Sequence, residues 1–286
     1  MLDMIIDALQ KSAVRVDTLL KKCEFGYLNS TNATGDTQLG VDVVANDIFK
    51  EMLLGLSAIK GICSEEEEEA IYNPSGRYLV AFDPLDGSSI VSSNLSVGSI
   101  FGIYNEAFEA SNLIASGYIL YGPRLEMVFA KDGVSRYICS DGAWRDMGNL
   151  RLDKKGKINA PGGTQKNWST KHKILIESLF LEGYRLRYSG GMVPDLHNIL
   201  CKGGGLFSYP ATSDAPSGKL RALFEVFPFA FIFENAGGEA IGSINGDGIL
   251  DRILDLKIDS IHQSLPCFFG SKYEIGQVKL AYKKRG

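Results

Sequence analysis

The stretch Asp83-Pro84-Leu85-Asp86-Gly87-Ser88-Ser89 decides how the chain is read. It follows a short apolar run, Tyr78-Leu79-Val80-Ala81-Phe82, whose length and flanking Gly76 predict a strand buried on both faces. Two carboxylates therefore emerge where a strand ends, the place at which open α/β sheets bind ligands. Pro84 fixes a φ angle and withholds a donor, Gly87 permits close backbone approach, and Ser88 and Ser89 bring hydroxyls and amides suited to an anion. Hard oxygen ligands beside an anion-binding turn fit Mg2+ and a phosphate. Alone, these residues would equally make an ordinary proline turn, so the rest of the chain has to decide.

Just upstream, the short apolar segment Ile62-Cys63 runs into Ser64-Glu65-Glu66-Glu67-Glu68-Glu69. A run of glutamates is usually a solvated face. Glu65 and Glu66, however, follow an apolar run just as Asp83 does, so two adjacent strands would deliver four carboxylates to one rim. Glu67 to Glu69 are expected to face solvent. Further upstream, Ile5, Ala8, Leu9, Ala13, Val16, Leu19 and Leu20 recur at helical spacing over residues 4–22, and Lys21 and Lys22 suit the C-terminal end of that helix. A polar stretch from Asn29 to Asp36 is expected to be a mobile loop, and Val41 to Leu56 shows a second helical pattern.

Downstream, residues 95–140 alternate in the manner of strands, with turns at Gly122-Pro123 and Asp132-Gly133, and predict a meander that completes a sheet. Residues 141–170 are polar, poor in pattern, and expected to be the passage into a second lobe. Helices are expected at 171–181 and 194–201, and strands at 184–188, 206–209 and 267–269, before a C-terminal amphipathic helix. A helical turn or two is expected to carry Lys219, Arg221 and Glu225, with Pro228 starting or kinking an apolar helix that ends at Ala236-Gly237-Gly238. The expected fold is α/β (α+β layered), with stacked helix and sheet layers and mixed sheets in two lobes, 1–150 and 151–286.

Composition excludes several classes of function. At 286 residues, with 45% hydrophobic and 22% charged residues, the chain has the balance of a soluble globular protein with a large core. A net charge of -4 argues against a nucleic-acid surface. The apolar run near Phe227 to Phe233 is too short to span a bilayer. Five scattered cysteines without a C-x-x-C pair read as reduced thiols, so a cytoplasmic protein without a membrane partner is expected.

Hydrolysis of a phosphate ester needs carboxylates for divalent metals, a positioned water, donors for phosphoryl oxygens and cations for any second phosphate. Acids stand at Asp36, Asp42, Glu65, Glu66, Asp83, Asp86 and Glu225, and donors at Arg187, Tyr188, Tyr209, Lys219 and Arg221. The signature turn, with Ser64-Glu65-Glu66 before it and Ala236-Gly237-Gly238 after it, resembles the lithium-sensitive, magnesium-dependent sugar phosphatase superfamily. Three further stretches narrow the match: Asn32-Ala33-Thr34-Gly35-Asp36, Arg187-Tyr188-Ser189-Gly190-Gly191-Met192-Val193, and Tyr209-Pro210 followed by Gly218-Lys219-Leu220-Arg221. Together they resemble the class I fructose-1,6-bisphosphatase family over residues 4–270.

The resemblance implies Mg2+-dependent hydrolysis of fructose 1,6-bisphosphate to fructose 6-phosphate in gluconeogenesis. It implies that Glu65, Asp83, Asp86, Glu225 and the Leu85 carbonyl hold two or three Mg2+ ions, for which Mn2+ or Zn2+ can substitute. Asp36 would belong to a closing loop, while Asp42 and Glu66 orient and deprotonate water. Gly87, Ser88 and Ser89 would cradle the 1-phosphate with Lys219 and Arg221, and Met192 would meet the sugar through its backbone. Asn159, Tyr188, Tyr209 and Arg187 would bind the 6-phosphate, Arg187 reaching across from a neighbouring subunit of a homotetramer. His172, His197 and His262 are expected to be structural.

The chain departs from the family pattern in three places. It lacks the Thr-Gly-rich turn that holds the AMP phosphate in many relatives, and Asn105 stands where an arginine is common, although Arg77-Tyr78 is retained; weak or absent AMP inhibition is expected. A tyrosine near Asn159 is replaced within Asn159-Ala160-Pro161-Gly162. Ile90-Val91-Ser92 and Phe227 replace the usual Asn-Ile-Asp and Asn. A sedoheptulose bisphosphatase, an inositol monophosphatase and a metal-binding regulatory protein on the same scaffold remain as alternatives.

Overall fold

The computed structural model describes residues 1–22, 27–31, 37–73, 75–244 and 250–283. The chain opens with α1 (Leu2–Lys22), the antiparallel pair β1 (Tyr27–Thr31) and β2 (Thr37–Leu39), and α2 (Gly40–Leu54). Part of the stretch expected as a loop is thus paired backbone, while Asp36 lies outside the described residues. An eight-stranded sheet follows, built from β3 (Ile59–Ser64), β4 (Ile71–Tyr72), β5 (Tyr78–Asp86), β6 (Val97–Tyr104), β7 (Leu113–Tyr121), β8 (Leu125–Ala130), β9 (Val134–Ser140) and β10 (Ala143–Asn149). Its order is β10-β9-β8-β7-β6-β5-β3-β4, and only β3 and β5 are parallel.

A second, six-stranded sheet has the order β12-β11-β13-β16-β14-β15, with β11 (Ile158–Pro161), β12 (Arg185–Leu186), β13 (Gly205–Tyr209), β14 (Glu239–Gly242), β15 (Asp251–Arg252) and β16 (Cys267–Gly270). Its helices are α3 (Thr170–Leu181), α4 (Met192–Cys201), α5 (Phe227–Asn235) and α6 (Lys272–Lys283). Both sheets mix parallel and antiparallel pairs, as the sequence predicts.

Three apolar clusters explain the layering. Ile5, Leu9, Ala13 and Val16 of α1 and Val41, Ala45 and Phe49 of α2 pack on one face of the first sheet against Val80, Phe82 and Phe101. The opposite face, with Ala81, Ile100 and Tyr118, meets Leu196 of α4 and Phe229 of α5, which in turn cover Phe207 and Phe269 of the second sheet. Leu175 and Leu179 of α3 and Ile275 and Val278 of α6 close the outer face of that sheet against Leu206 and Phe268. An αβαβα stack results, and α5 is apolar all round because it lies between two sheets.

Two strands escape the sequence pattern. β10 is an edge strand exposed along nearly its whole length, so it shows no alternation, and β11 has only four residues, all buried. The strand expected at 184–188 shrinks to Arg185–Leu186. β5 runs on through Asp83 to Asp86 instead of stopping at Phe82, with a register shift against β6 between Asp83↔Ile100 and Asp86↔Gly98. That bulge accommodates Pro84, which has no ladder donor. Among the described residues no helix is long and apolar enough to cross a membrane, and Cys63, Cys139, Cys201 and Cys267 are free thiols.

Gly98 sets the distance between the first sheet and α4, since a Cβ there would lie 2.4 Å from Val193 Cγ1 and 2.6 Å from the Ile119 carbonyl. Gly98→Ala should cost about 1–3 kcal/mol by overpacking, measured by chemical denaturation, and should lower activity further by moving the start of α4.

Candidate active site

A cleft of about 380 Å3 opens where β3 and β5 end, and it draws residues from both halves of the chain. The parallel register sets Ser64 opposite Phe82, and the Glu65 amide donates to the Phe82 carbonyl at 3.1 Å, so Glu65 and Glu66 leave their strand beside Asp83. Asp42, in the first turn of α2, lines the same cleft, as do Glu65, Glu66, Asp83, Leu85, Asp86 and Glu225. Oxygens of Asp83, Asp86 and Glu225 can all lie within 4.8 Å of one another, and the three side chains are buried.

Each of these acids is held by backbone donors. Asp83 Oδ1 accepts the Leu85 amide at 2.9 Å. Asp86 takes two amides from the start of α4, Met192 to Oδ1 at 3.1 Å and Val193 to Oδ2 at 2.7 Å. The Met192 amide is therefore committed to this carboxylate. Glu225 Oε2 accepts the Arg221 amide. Here the structure differs from the expected helical turn: Arg221 is extended, with φ -75° and ψ 127°, and a π-helical turn, Ala222–Val226, follows it and leads into α5 at Phe227. Lys219 and Arg221 thus lie on the approach to the helix rather than on it, because the Arg221 amide is capped by Glu225.

Burial and mutual repulsion govern the protonation of the cluster. Burial, then the charges of Glu65, Asp86 and Glu225, push Asp83 well above the ordinary carboxyl range. Burial and then Glu65 do the same to Glu225, and burial raises Asp86 to about 6 against the opposing pull of the Val193 and Met192 amides. Arg221 Nε stands 3.8 Å from Glu65 Oε1, with a second guanidinium nitrogen donating to Ser264 Oγ. A buried set of hard oxygen donors whose charges repel fits divalent cations of the Mg2+ type.

Another side of the cleft is formed by the turn after β5. Gly87 adopts φ +79°, and Ser88 opens a six-residue 3-10 helix, Ser88–Ser93. A Cβ on Gly87 would come within 3.3 Å of Gly191 Cα, so this turn and the entry to α4 are in close contact. Tyr188, Met192, Tyr209 and Lys219 complete the lining with Gly87, Ser88 and Ser89. Burial, then the neighbouring Tyr188, raises Tyr209 to about 12, and burial also raises Tyr188. Both phenols therefore remain protonated donors at neutral pH.

Three expected residues do not line the cleft: Arg221, which reaches it only through Glu65 and Glu225, and Asn159 and Arg187. Asn159 is fully buried on β11, both polar atoms of its side chain lack a partner, and its carbonyl accepts the Arg187 amide at 3.0 Å. Arg187 is exposed and lines a separate cavity with Arg124, Arg136 and Lys202. Glu67 is a correction of a different kind. It does not simply face solvent but accepts Asn46 Nδ2 at 2.8 Å and Lys50 Nζ, and the Lys50 bond holds its carboxyl below the usual range. Glu68 and Glu69 are exposed, as expected.

The sequence reading missed Ser99, whose buried hydroxyl donates to the Pro84 carbonyl at 2.7 Å and meets Tyr121 Oη at 2.8 Å. A lone hydroxyl within the apolar run Val97 to Tyr104 was the available signal. It also missed Asp195, which accepts the Ser189 amide at 2.8 Å and closes the loop that leads into α4.

Comparison with known proteins supplies the family. Residues 1–147 match the family model "Fructose-1-6-bisphosphatase, N-terminal domain", and residues 152–283 match "Fructose-1-6-bisphosphatase, C-terminal domain". The chain belongs to the fructose-1,6-bisphosphatase class 1 family. It is 59% identical over 285 residues to the fructose-1,6-bisphosphatase class 1 of Helicobacter hepaticus, covering 99% of this chain and 100% of that relative. The Campylobacter hominis relative of the same name is 51% identical, covering 97% and 99%. Among solved structures, the holo form of Leishmania major fructose-1,6-bisphosphatase superposes with a TM-score of 0.90 at 32% identity, covering 99% of this chain and 94% of that one. Membership implies use of divalent metal ions, which the carboxylate cluster suits.

The cluster has a consequence for stability. A carboxyl whose folded pKa is raised stabilises the fold fully below its unfolded value near 4 and loses that contribution as pH rises through the folded value. Without metal, Asp83, Asp86 and Glu225 should therefore weaken the fold as pH rises from about 4 through about 6 and beyond. Divalent ions should offset this, so Mg2+ should raise the Tm more at pH 8 than at pH 5. Thermal unfolding with and without Mg2+ measures this, and Asp86→Asn should shrink the difference.

Proposed function

We propose that this protein hydrolyses D-fructose 1,6-bisphosphate to fructose 6-phosphate and phosphate, as a phosphoric monoester hydrolase of gluconeogenesis. One observation carries the reading: in a family-length match, Glu65, Asp83, Asp86 and Glu225 converge beside the Gly87-Ser88-Ser89 turn. The resident ions are two or three Mg2+ per subunit, with Mn2+ or Zn2+ able to replace them, held by Glu65, Asp83, the Leu85 carbonyl, Asp86 and Glu225. When bound, they polarise the phosphoryl oxygens and lower the pKa of a ligated water.

The protein's own groups do the rest. Asp42 and Glu66 orient the attacking water and accept its proton, with Asp36 as a further catalytic acid. The Gly87, Ser88 and Ser89 amides and hydroxyls hold the 1-phosphate, while Lys219 and Arg221 offset its charge. Tyr188 and Tyr209 donate to the 6-phosphate, and Met192 meets the sugar through its backbone. Asn159 joins them, a role supported by its unpartnered buried amide, the kind of group a phosphate would satisfy. Residues 1–150 thus supply most of the metal and 1-phosphate groups, and residues 151–286 most of the sugar groups.

Arg187 serves the 6-phosphate of a neighbouring subunit in a homotetramer, a reading supported by its place outside its own cleft. The protein is cytoplasmic, in keeping with its free thiols. AMP inhibits it weakly or not at all, since Asn105 stands in the position of the usual arginine. A second substrate, sedoheptulose 1,7-bisphosphate, is favoured by the likeness to a Toxoplasma gondii protein described as a sedoheptulose-1,7 bisphosphatase, with a TM-score of 0.88 at 29% identity.

Phosphate release from fructose 1,6-bisphosphate, sedoheptulose 1,7-bisphosphate and inositol 1-phosphate, with Mg2+ and AMP varied, tests the reading. Turnover of a bisphosphate with little release from the monophosphate is expected, and Asp83→Ala should lower kcat on the order of 10^3-fold through loss of metal stabilisation. Preference for inositol 1-phosphate, or activity retained by Asp83→Ala, would count against it.

A further inference from the structure

Glu67 is outside the set of proposed ligands, yet it is tied to both halves of the chain. Its carboxylate accepts Asn46 Nδ2 and Lys50 Nζ, which sit four residues apart on one face of α2. Asp42 lies four residues before Asn46 on that face and lines the cleft. One carboxylate beside the cleft therefore grips the helix that carries Asp42.

The Glu67 backbone faces the other half of the chain. His262 Nε2 donates to the Glu67 carbonyl at 2.9 Å, across 195 positions of sequence. The His262 ring packs 5.4 Å from Phe224, the residue before Glu225 on the π-helical turn. The next residues hold the same turn: the Gln263 carbonyl accepts the Ala222 amide at 2.8 Å, and Ser264 Oγ accepts Arg221 Nη1. Glu67 is thus the point at which α2, the Glu65-Glu66 turn and the segment bearing Glu225 are joined. Arg221 stands between the two acids, its amide on Glu225 and its Nε 3.8 Å from Glu65 Oε1, and the Glu67–His262 contact ties the same two segments together from outside the cleft.

We propose that Glu67, held by Asn46, Lys50 and His262, is a positioning residue that sets the spacing between Glu65 and Glu225 and the placement of Asp42 before any metal arrives. The proposal rests on the reading of the cleft as a divalent-metal site. Loss of the brace leaves every ligand in place but lets the repelling carboxylates move apart, so metal binding must first draw them together. The Gly87, Ser88 and Ser89 donors to the 1-phosphate, on the turn after β5, are anchored elsewhere and should be little affected.

Mn2+ titration by isothermal calorimetry without substrate reads binding without turnover, and steady-state kinetics in Mg2+ give kcat and KM. Glu67→Ala should weaken Mn2+ binding by about ten- to a hundredfold, the range for groups that orient metal ligands. KM for fructose 1,6-bisphosphate at saturating Mg2+ should stay within about twofold. Glu67→Gln, which keeps an acceptor oxygen for Asn46 and Lys50, should recover most of the loss, and Lys50→Met and His262→Ala should each reproduce part of it. Unchanged Mn2+ affinity in Glu67→Ala and Lys50→Met would overturn the proposal, as would metal affinity and KM worsening together in step with a lowered Tm. Wild-type protein that binds no Mn2+ would overturn the metal reading of the cleft, and the proposal with it.

Discussion

Asp83, Asp86 and Glu225 place carboxylate oxygens within 4.8 Å of one another in a region shielded from water, and much of the structure is arranged so that they can stay there. Like charges at this range repel strongly wherever the effective dielectric is low. Backbone amides of Leu85, Met192, Val193 and Arg221 offset part of the repulsion, and they come from three kinds of local structure. The first belongs to a bulged strand, the next two to the start of a helix, and the last to the cap of a π-helical turn. Protonation offsets more of it when metal is absent, and a divalent cation would offset the rest.

This constraint links packing to chemistry. The two amides that hold Asp86 belong to α4, which stands between the two sheets with Leu196 in their shared core. Glu225 is positioned because the helix that follows it, α5, packs most of its side chains, Phe227, Phe229, Ile232 and Phe233 among them, into the core between those sheets. On the other side of the cleft, Gly87 and Gly191 approach so closely that the turn after β5 packs directly against the entry to α4. Ser99 supports that turn from beneath through the Pro84 carbonyl.

Much of this was legible in the sequence where local chemistry and local structure coincide. The apolar run before Asp83 and the shorter one before Glu65 each announced a buried strand followed by acids, and the two strands are neighbours in parallel. The layered fold was legible because α1 has a clear apolar face and α5 has no polar one. β10 was not legible, since an exposed edge strand has nothing to alternate, and neither was the bulge that lets β5 continue through Pro84. Glu67 was misread because its partners are 17 and 21 positions away along the chain, and the carbonyl contact to His262 is farther still. The capping of Arg221 by Glu225 was hidden by a spacing of four that reads equally well as an ordinary helical pair.

The central claim is that the buried acids form one metal centre assembled from both halves of the chain. Crystals of the wild-type protein grown in Mn2+ test it directly through anomalous scattering at the manganese edge. The account predicts at least one anomalous peak about 2.0–2.4 Å from carboxylate oxygens of Asp83, Asp86 and Glu225, the range for hard cations on oxygen ligands. Manganese bound only at exposed acids such as Glu68 and Glu69, with the cluster empty, would contradict it.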